Sequence, residues 1–437
     1  MAHPTAEITN HVQEALSNFE MLKGFRQKAQ PHILKAMEDG IGSFKEQGYP
    51  TTRHEEWKYT SVRSLLDREY NSAFMPPRGY IVTSDLQDWW RSYTDPTVLV
   101  FVNGHLSKEL SSVPSNGPTV KELDSDDSAT VKEKYAQIVQ MEGNPFVALN
   151  TALAQNGLSL TFPKNYHNDS PTFVVHLNDS AQGNVRTYSR TFIHVEQGAE
   201  ANLVEFWANE GGAHSFANHV CEILVRKNAR LNHHVVQGDT DSSSLINFTQ
   251  AEQERDSIYR NFTVSTSGEI VRNDTNARHL DSNIETHLFG LYLLDRDQHV
   301  DNHTLVDHAL PNCYSNELYK GVLDGASTAV FNGKVMVRPD AQKTNAFQSN
   351  KTILLSEDAT INTKPQLEIY ADDVKCSHGA TTGRLDKESL FYLRSRGVGE
   401  KQARALLTYA FAAEVLEEIN LEPLRERLEN TIKNRLF

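Results

Sequence analysis

The stretch Val195-Glu-Gln-Gly-Ala-Glu-Ala-Asn202 decides the fold, because its outline recurs three times further along the chain. The other copies are Val225-Arg-Lys-Asn-Ala-Arg-Leu-Asn232, Leu294-Asp-Arg-Asp-Gln-His-Val-Asp301 and Leu355-Ser-Glu-Asp-Ala-Thr-Ile-Asn362. Each copy has an apolar residue, two spacers, a Gly, Asn or Asp, and then a short strand start that reaches Asn or Asp. Gly, Asn and Asp tolerate a left-handed backbone, so each copy predicts a tight turn between two short strands.

The residues around these turns are typical of strands. From about Gly157 to Lys375, runs rich in Val, Ile, Thr, Phe and Leu, such as Thr172-Phe-Val-Val-His-Leu177, alternate with Gly, Asn and Asp. Strand–turn–strand units that bury their inward residues against the coils above and below form a β-helix. The unequal spacing of the four copies leaves an ordinary β-sandwich with similar hairpins open. The chain is therefore predicted to be mainly β.

Helical patterns lie on both sides of this region. Residues 11–48 place apolar side chains at three- and four-residue steps, with Pro31 predicted in the first turn of a helix. Three more helical segments follow Gly383, and the last of them has an apolar stripe that suits packing on its own body or on a partner. We divide the chain into an N-terminal helical and irregular region, a β core and a C-terminal helical domain, at 1–150, 151–383 and 384–437.

Charge and composition limit the classes of partner and the cell compartment that we expect for the protein. The 437 residues carry 43 Lys+Arg against 57 Asp+Glu, a formal net charge of -14, which repels nucleic acid and anionic lipid. Neither a membrane-spanning apolar run nor a targeting pattern in Met1 to Glu20 is apparent, so we expect a cytoplasmic protein without a membrane partner. The three cysteines, Cys221, Cys313 and Cys376, are few and far apart, which is typical of reduced thiols.

Familiar catalytic motifs are missing from the sequence. It contains no Gly-x-x-x-x-Gly-Lys-Ser/Thr, Gly-x-Ser-x-Gly, His-Glu-x-x-His or Cys-x-x-Cys pattern. These absences disfavour an autonomous ATPase, a serine hydrolase, a zincin or a zinc ribbon, and we expect no enzyme. Of the 18 histidines, His233 and His234 are adjacent and His303 and His308 are five apart, so on strands each pair points to opposite faces. We interpret these four as solvated or hydrogen-bonded side chains.

Cys376 and His378 form the candidate metal site. An i, i+2 pair on a strand projects from one face with Cα atoms about 6.6 Å apart, so a thiolate and an imidazole can reach one ion. Two ligands are too few for a closed tetrahedral centre, and the remaining ligands would have to come from elsewhere in the fold or from another chain. The alternative is a buried thiol beside a hydrogen-bonded histidine.

Several longer motifs follow one another along the chain. The first is Arg53-His-Glu-Glu-Trp-Lys-Tyr-Thr-Ser-Val-Arg-Ser-Leu65. A long run from Lys343 through Ala359 continues via Asn362 to Ile369 and reaches Asp373-Val-Lys-Cys-Ser-His-Gly-Ala-Thr381, and Tyr392-Leu-Arg-Ser-Arg-Gly-Val398 follows. This series of motifs resembles the SufB/SufD family over about residues 50 to 420. Gly379 after His378, the lack of an N-terminal cysteine cluster and the modest length are similar to the SufD branch, with a SufB-type paralogue as the nearest alternative.

This resemblance implies a fold and partners. It implies a right-handed parallel β-helix core flanked by helical N- and C-terminal parts, in a complex with SufB and two copies of the SufC ATPase. The residues after 384 would dock SufC. A homodimer of the isolated chain is compatible with the sequence.

The resemblance also implies a role for the candidate site. The histidine matching His378 would face a SufB cysteine where a transient iron-sulfur cluster is built, with His378 as a ligand and Cys376 as a weaker candidate. No cofactor is expected to be tightly bound by the isolated chain. Two other functions stay open, a β-helix carbohydrate-active enzyme using Asp297, Asp301 and Asp307, and an adaptor in which Cys376 and His378 only pack.

Overall fold

The computed structural model describes residues 6–75, 82–238 and 241–437. The helices are α1 Ala6–Phe25, α2 Pro31–Gln47, α3 Arg63–Leu66, α4 Ser84–Gln87, α5 Ala129–Lys134, α6 Pro145–Leu153, α7 Lys387–Ser395, α8 Glu400–Leu416 and α9 Glu422–Leu436. The strands before the core are β1 Asn71–Ser72, β2 Thr97–Val102, β3 His105–Ser112 and β4 Thr119–Glu122.

The core strands follow one another closely along the chain. They are β5 Asn156–Phe162, β6 Thr172–Asp179, β7 Val185–Val195, β8 Glu200–Glu210, β9 Ser215–Val225, β10 Arg230–Gln237, β11 Ser243–Gln253, β12 Ile258–Ser265, β13 Ile270–His279, β14 Glu285–Leu294, β15 His299–His308, β16 Tyr314–Leu323, β17 Thr328–Val337, β18 Asn345–Leu354, β19 Thr360–Thr363, β20 Gln366–Ile369 and β21 Lys375–Gly383.

These strands stack into two sheets. The first sheet contains β5, β7 and the following odd-numbered strands to β17, with β19 and β20 both paired to β17. The second contains the even-numbered strands from β6 to β18 and ends at β21. Neighbours are parallel, as where Ser243–Gln253 pairs in register with Ser215–Val225. The chain alternates between the sheets, so the fold is a parallel β-helix, as predicted, and the β-sandwich alternative is wrong.

The corners of the coils explain the unequal spacing of the sequence repeats. At the corner from the first sheet to the second, a left-handed residue recurs about 30 residues apart, at Gly198, Asn228, Asp256, Asn283, Asn312 and Lys343. The first two are the predicted turn residues. The third and fourth sequence repeats lie at the opposite corner, from the second sheet back to the first. There Arg296 has the left-handed backbone, one residue before the predicted Asp297.

Alternate side chains of both sheets point into the β-helix, where they stack in columns from coil to coil. Most are apolar and belong to one buried cluster that includes Leu203, Ile223, Leu288 and Val306. Burial of each such side chain stabilises the fold by roughly 1.5–3 kcal/mol.

The N-terminal part packs on the outer face of the first sheet. The predicted helical start is confirmed by α1 and by α2, which has Pro31 in its first turn. Their apolar faces join α6 in a buried cluster with outward-facing sheet residues such as Phe192 and Phe216. The boundary at 150 stays a prediction, although β2 pairs in parallel with β6, so the second sheet begins within the first region.

The C-terminal helices divide into two kinds. Leu424, Leu428 and Ile432 of α9 are buried with residues of α8 and with the outer face of the second sheet, so the last stripe packs on its own body. In contrast, α7 buries no residue, and its Phe391 is 74% exposed. No helix in the described ranges has both the length and the apolar character needed to cross a membrane.

Candidate functional site

Cys376 and His378 lie on β21, the terminal strand of the second sheet. β21 pairs with β18 alone, in parallel, and most of its residues are exposed. The Lys375 N–H donates to the Thr344 carbonyl of the preceding coil. Because hydrogen bonding alternates along a strand, the N–H groups of Cys376 and His378 point toward the open edge. The end of the β-helix therefore offers unpaired backbone groups beside both side chains.

Both side chains share one face, as their spacing predicted. Cys376 is in register with Ala346, and His378 with Gln348. Ala346 and Gln348 are buried inside the preceding coil. Cys376 and His378 thus belong to the inner columns of the β-helix, in its last coil, and no further coil formed by the described residues covers them. Their role as metal ligands stays a prediction.

The two side chains differ in their surroundings. Cys376 is half-buried and packs against a small apolar cluster that includes Val335 and Ala346. Burial raises the pKa of its thiol, an effect that contact with the Ala346 backbone only partly offsets. A soft cation or a base would therefore have to displace the proton before the sulfur could act as a thiolate ligand.

His378 is exposed and short of partners. Within the described part of the chain, its ring makes no hydrogen bond or ion pair with another residue. The groups of three His, Cys, Asp or Glu that could hold one ion in this part of the chain include neither Cys376 nor His378. The chain therefore brings these two ligands together without supplying a third.

A buried carboxyl group lies beneath His378 in the same column. Gln348 donates a 3.3 Å hydrogen bond to Glu317 Oε2, and Thr304 Oγ1 donates one of 2.6 Å to the same oxygen. Burial raises the pKa of Glu317 to about 7. Glu317 and Gln348 were not among the residues predicted from the sequence, although Gln348 lies about one coil and Glu317 about two coils before His378, which was a usable signal.

The four histidines singled out from the sequence point to opposite faces in pairs, as predicted. His233 and His308 are inside the β-helix, and His234 and His303 are outside it. All four are buried rather than solvated. The hydrogen-bonded alternative holds for His233, which contacts Glu205, for His308, which contacts Ser315, and for His303, which contacts Asp301. Helices and the N-terminal segment cover the outer faces, which the sequence pattern could not show.

Two of the three aspartates considered for carbohydrate chemistry, Asp301 and Asp307, are held in ion pairs, and Asp297 is exposed. Asp301 is buried, 2.8 Å from Arg272 and 2.9 Å from His303. Asp307 is 2.7 Å from Arg338. Carboxylates fixed by cations in this way are poorly suited to act as a general acid and a nucleophile flanking a sugar.

Comparisons with known proteins agree with this architecture. Residues 176–411 match the family model "SUF system FeS cluster assembly, SufBD core domain", and residues 16–174 match the SufBD protein N-terminal region. The iron-sulfur cluster assembly protein SufD of Escherichia coli is 30% identical over 411 residues, which cover 94% of this chain and 92% of that protein.

Two further relatives are similar. A SufBD family protein of Synechocystis sp. is 31% identical over 98% of this chain and 96% of its own length. The SufD protein of Bacillus subtilis is 26% identical over 68% of each chain. The resemblance inferred from the motifs is confirmed.

Proposed function

The chain belongs to the SufBD family of iron-sulfur cluster assembly proteins, and from that premise we propose that it is the non-ATPase scaffold subunit of a cytoplasmic Suf complex. Its partner would be a SufB-type subunit bound at β21. A transient cluster would be built at that interface, with His378 as one ligand and with the ligands that this chain lacks supplied by the partner. The cluster is the cargo of the complex, and no catalytic step is assigned to this chain.

One observation carries the proposal. His378 and Cys376 are the last members of two inner columns, and within residues 6–75, 82–238 and 241–437 no further coil follows them and no strand pairs with the outer edge of β21. An unpaired strand edge is a template for pairing with another chain. A partner strand added to β21 would cover both side chains and bring its own residues opposite them. The shortage of ligands in this chain therefore fits a site shared between two subunits.

The ligand types suit iron and sulfide. Cysteine thiolates hold most iron-sulfur clusters, and histidine replaces cysteine at some iron atoms. His378 is accessible to a metal ion or cluster because its ring is exposed. Cys376 is the weaker candidate, since its half-buried thiol is protonated at neutral pH.

A SufC-type ATPase is proposed to dock on the C-terminal domain through α7. The exposed Phe391 and Tyr392 of α7 are 74% and 58% exposed, on a helix that buries none of its residues. The neighbouring α8 and α9 bury an apolar face of the second sheet. Movement of α7 by the ATPase would be transmitted to β21, which is only a few residues away along the chain.

The ligand role of His378 is tested in the assembled complex. The His378→Ala variant is co-expressed with the SufB- and SufC-type partners, and iron and acid-labile sulfide are measured per purified complex. We expect normal assembly and a loss of cluster on the order of tenfold, since the loss even of groups supporting a ligand weakens metal sites by 10–100-fold. Ser377→Ala, on the opposite face of β21, is the matched control. Wild-type iron and sulfide in the His378→Ala complex would refute the role.

The two docking surfaces are tested by crossed variants. Phe391→Ser with Tyr392→Ser should abolish co-purification of the ATPase and leave the SufB-type subunit bound. Tyr370→Ser should have the opposite effect, because Tyr370 is 62% exposed directly after β20, and β20 contacts β21 at the same end of the β-helix. Point substitutions are preferred to deletion of residues 385–437, because the deletion would uncover the apolar face beneath α8 and α9. ATPase binding that survives the α7 changes would contradict the assignment.

A further inference from the structure

A buried carboxylate surrounded by histidines lies inside the β-helix, far from β21 along the chain. Glu205 of β8 is fully buried, and His176 of β6, His219 of β9 and His233 of β10 turn toward it from neighbouring coils and from both sheets. We propose that Glu205, His176 and His219 bind a divalent transition-metal ion, with His233 supporting the second oxygen of Glu205.

The distances fit an ion better than direct hydrogen bonds. Nε2 of His176 is 3.8 Å and Nε2 of His219 is 3.6 Å from the same Glu205 oxygen, Oε1. Hydrogen bonds to such an oxygen are about 2.7–3.2 Å long. Ligand atoms that share one ion at about 2.1 Å in tetrahedral geometry lie about 3.4 Å apart. The three atoms all lie within 4.8 Å of one another, so a small inward adjustment completes the site.

The three facing atoms have no hydrogen-bond partner among the residues that the structure describes. His176 Nε2, His219 Nε2 and Glu205 Oε1 are each buried without a hydrogen bond. Buried polar atoms are nearly always satisfied, and an unpartnered one calls for an explanation such as an ion. Here three converge on one point.

The negative charge of the buried Glu205 carboxylate also requires a nearby cation. In the described part of the chain, its ion-pair contacts are with histidines, and neither lysine nor arginine is among them. Glu205 is fully buried, so a charge on its carboxylate is shielded from water. A buried anion without a cation is unfavourable, and a bound metal ion would neutralise it.

Supporting contacts hold the rings in place. Ser189 Oγ is 2.8 Å from Nδ1 of His219, and the opposite nitrogen of that ring faces Glu205. His233 Nε2 is 2.9 Å from Glu205 Oε2, the oxygen that does not face the other two histidines. The His176 ring stacks on Trp207, with centroids 4.6 Å apart. Metal-binding histidines and carboxylates are commonly oriented by such outer contacts.

The donor set selects the class of metal. Two imidazoles and one carboxylate bind Zn²⁺ or Fe²⁺ and accept Co²⁺ as a probe. The side chains of His176, Glu205 and His219 are buried inside the β-helix, which suits a structural ion rather than a cluster that is built and transferred. The ion would tie the two sheets together across several coils.

A second group of potential ligands provides an internal comparison. His279, His308 and Cys313 are also buried close together. The Nε2 atoms of both histidines are hydrogen-bonded to hydroxyl groups at 2.8 and 2.9 Å. Burial raises the pKa of the Cys313 thiol to about 11 and lowers that of His308 to about 4, so these side chains are neutral at pH 7. This group therefore contains no buried charge that requires a cation.

The experiment uses the isolated full-length chain, unfolded in chelator and refolded with Co²⁺, Zn²⁺ or no metal. We expect about one ion per chain, visible Co²⁺ absorption without a thiolate charge-transfer band, and a higher unfolding temperature with metal. Glu205→Gln should abolish all three effects. Cys313→Ser and His234→Asn should retain them, the latter because His234 is the neighbour of His233 on the outer face.

Each other outcome overturns the proposal. The proposal is wrong if the refolded wild-type chain binds no ion. It is also wrong if the ion is still bound after Glu205→Gln, or if the ion is lost with Cys313→Ser and its spectrum shows a thiolate band. His219→Gln provides a second variant if Glu205→Gln does not fold. If neither variant folds, metal content and the cobalt spectrum of the wild-type chain decide. Because the isolated chain is used, a negative result leaves the proposed role of His378 in the complex unaffected.

Discussion

Aromatic rings and glycines interlock from coil to coil inside the β-helix. Gly290 of β14 is in register with Tyr319 of β16, and Tyr292 with Gly321. A Cβ at Gly290 would lie 2.2 Å from the Tyr319 ring, and one at Gly321 would lie 2.0 Å from the Tyr292 ring. The missing side chain of each glycine therefore leaves the space that the tyrosine ring of the neighbouring strand fills.

Gly290→Ala should destabilise the protein by about 2–3 kcal/mol, because the buried Tyr319 ring cannot move without straining the closely packed interior. Urea unfolding measures the effect. Gly379→Ala is the matched control, since no atom lies within 4 Å of a Cβ there, and its effect should stay within about 0.5 kcal/mol. Equal effects of the two substitutions would contradict the packing argument.

Glu317 predicts a pH dependence of stability. Its pKa is raised by burial to about 7, above that of an unfolded glutamate, so the folded state binds the proton more tightly. The stability contribution is full below about pH 4.3 and is lost as the pH rises through about 7. Glu317→Gln keeps an oxygen for Thr304 and should stabilise the protein at pH 8, on the order of 3 kcal/mol, with little change at pH 4.5. Unfolding of both proteins at the two pH values tests this, and destabilisation at pH 8 would contradict it.

Among elements, the segment Arg53–Leu65 acts as a clamp on the first sheet. Arg272 of β13 lies 3.9 Å from the centre of the Trp57 ring and donates to the backbone carbonyl of Glu56 at 2.7 Å. Thr60 donates to Asp301 at 2.5 Å. The motif that marks the family in sequence is therefore also the contact that fixes the N-terminal region to the β-helix.

His303 makes this clamp sensitive to pH. Burial and Arg272 would lower the pKa of His303, but the carboxylates of Asp301 and Glu56 outweigh them and raise it to about 9. The stability contribution is full below the unfolded pKa of about 6.5 and is lost as the pH rises through about 9. His303→Gln should cost on the order of 2 kcal/mol at pH 6 and much less at pH 10. Urea unfolding at both values tests the prediction, and a pH-independent difference would contradict it.

The elements also show what the sequence could and could not reveal. Gly198 and Asn228 identified turns because a left-handed backbone restricts the choice of residue. The sequence did not reveal that the copies near Leu294 and Leu355 belong to the other corner, because both corners use similar residues. Cys376 and His378 could be assigned to one face because strand periodicity is local. Glu205 and its histidines come from different coils, so their meeting depends on a register that no local pattern contains.

At the scale of the whole molecule, the β-helix has two different ends. The N-terminal end of the second sheet is closed by the antiparallel pair β2–β3. The other end stops at β21, with exposed residues and no covering strand within the described ranges. A solenoid that ends without a cap normally exposes a surface for further stacking. This asymmetry is the structural basis for assigning the partner to β21.

Hydrogen–deuterium exchange across β21 tests this central claim most directly. Exchange is compared between the isolated chain, at a concentration where it is monomeric, and its complex with the SufB- and SufC-type subunits. We predict that the amides of Lys375–Gly383 become strongly protected in the complex because a partner strand pairs with the open edge, while β3, the terminal strand at the opposite end of the same sheet, is unchanged. Equally fast exchange of the β21 amides in the free chain and in the complex would contradict the account.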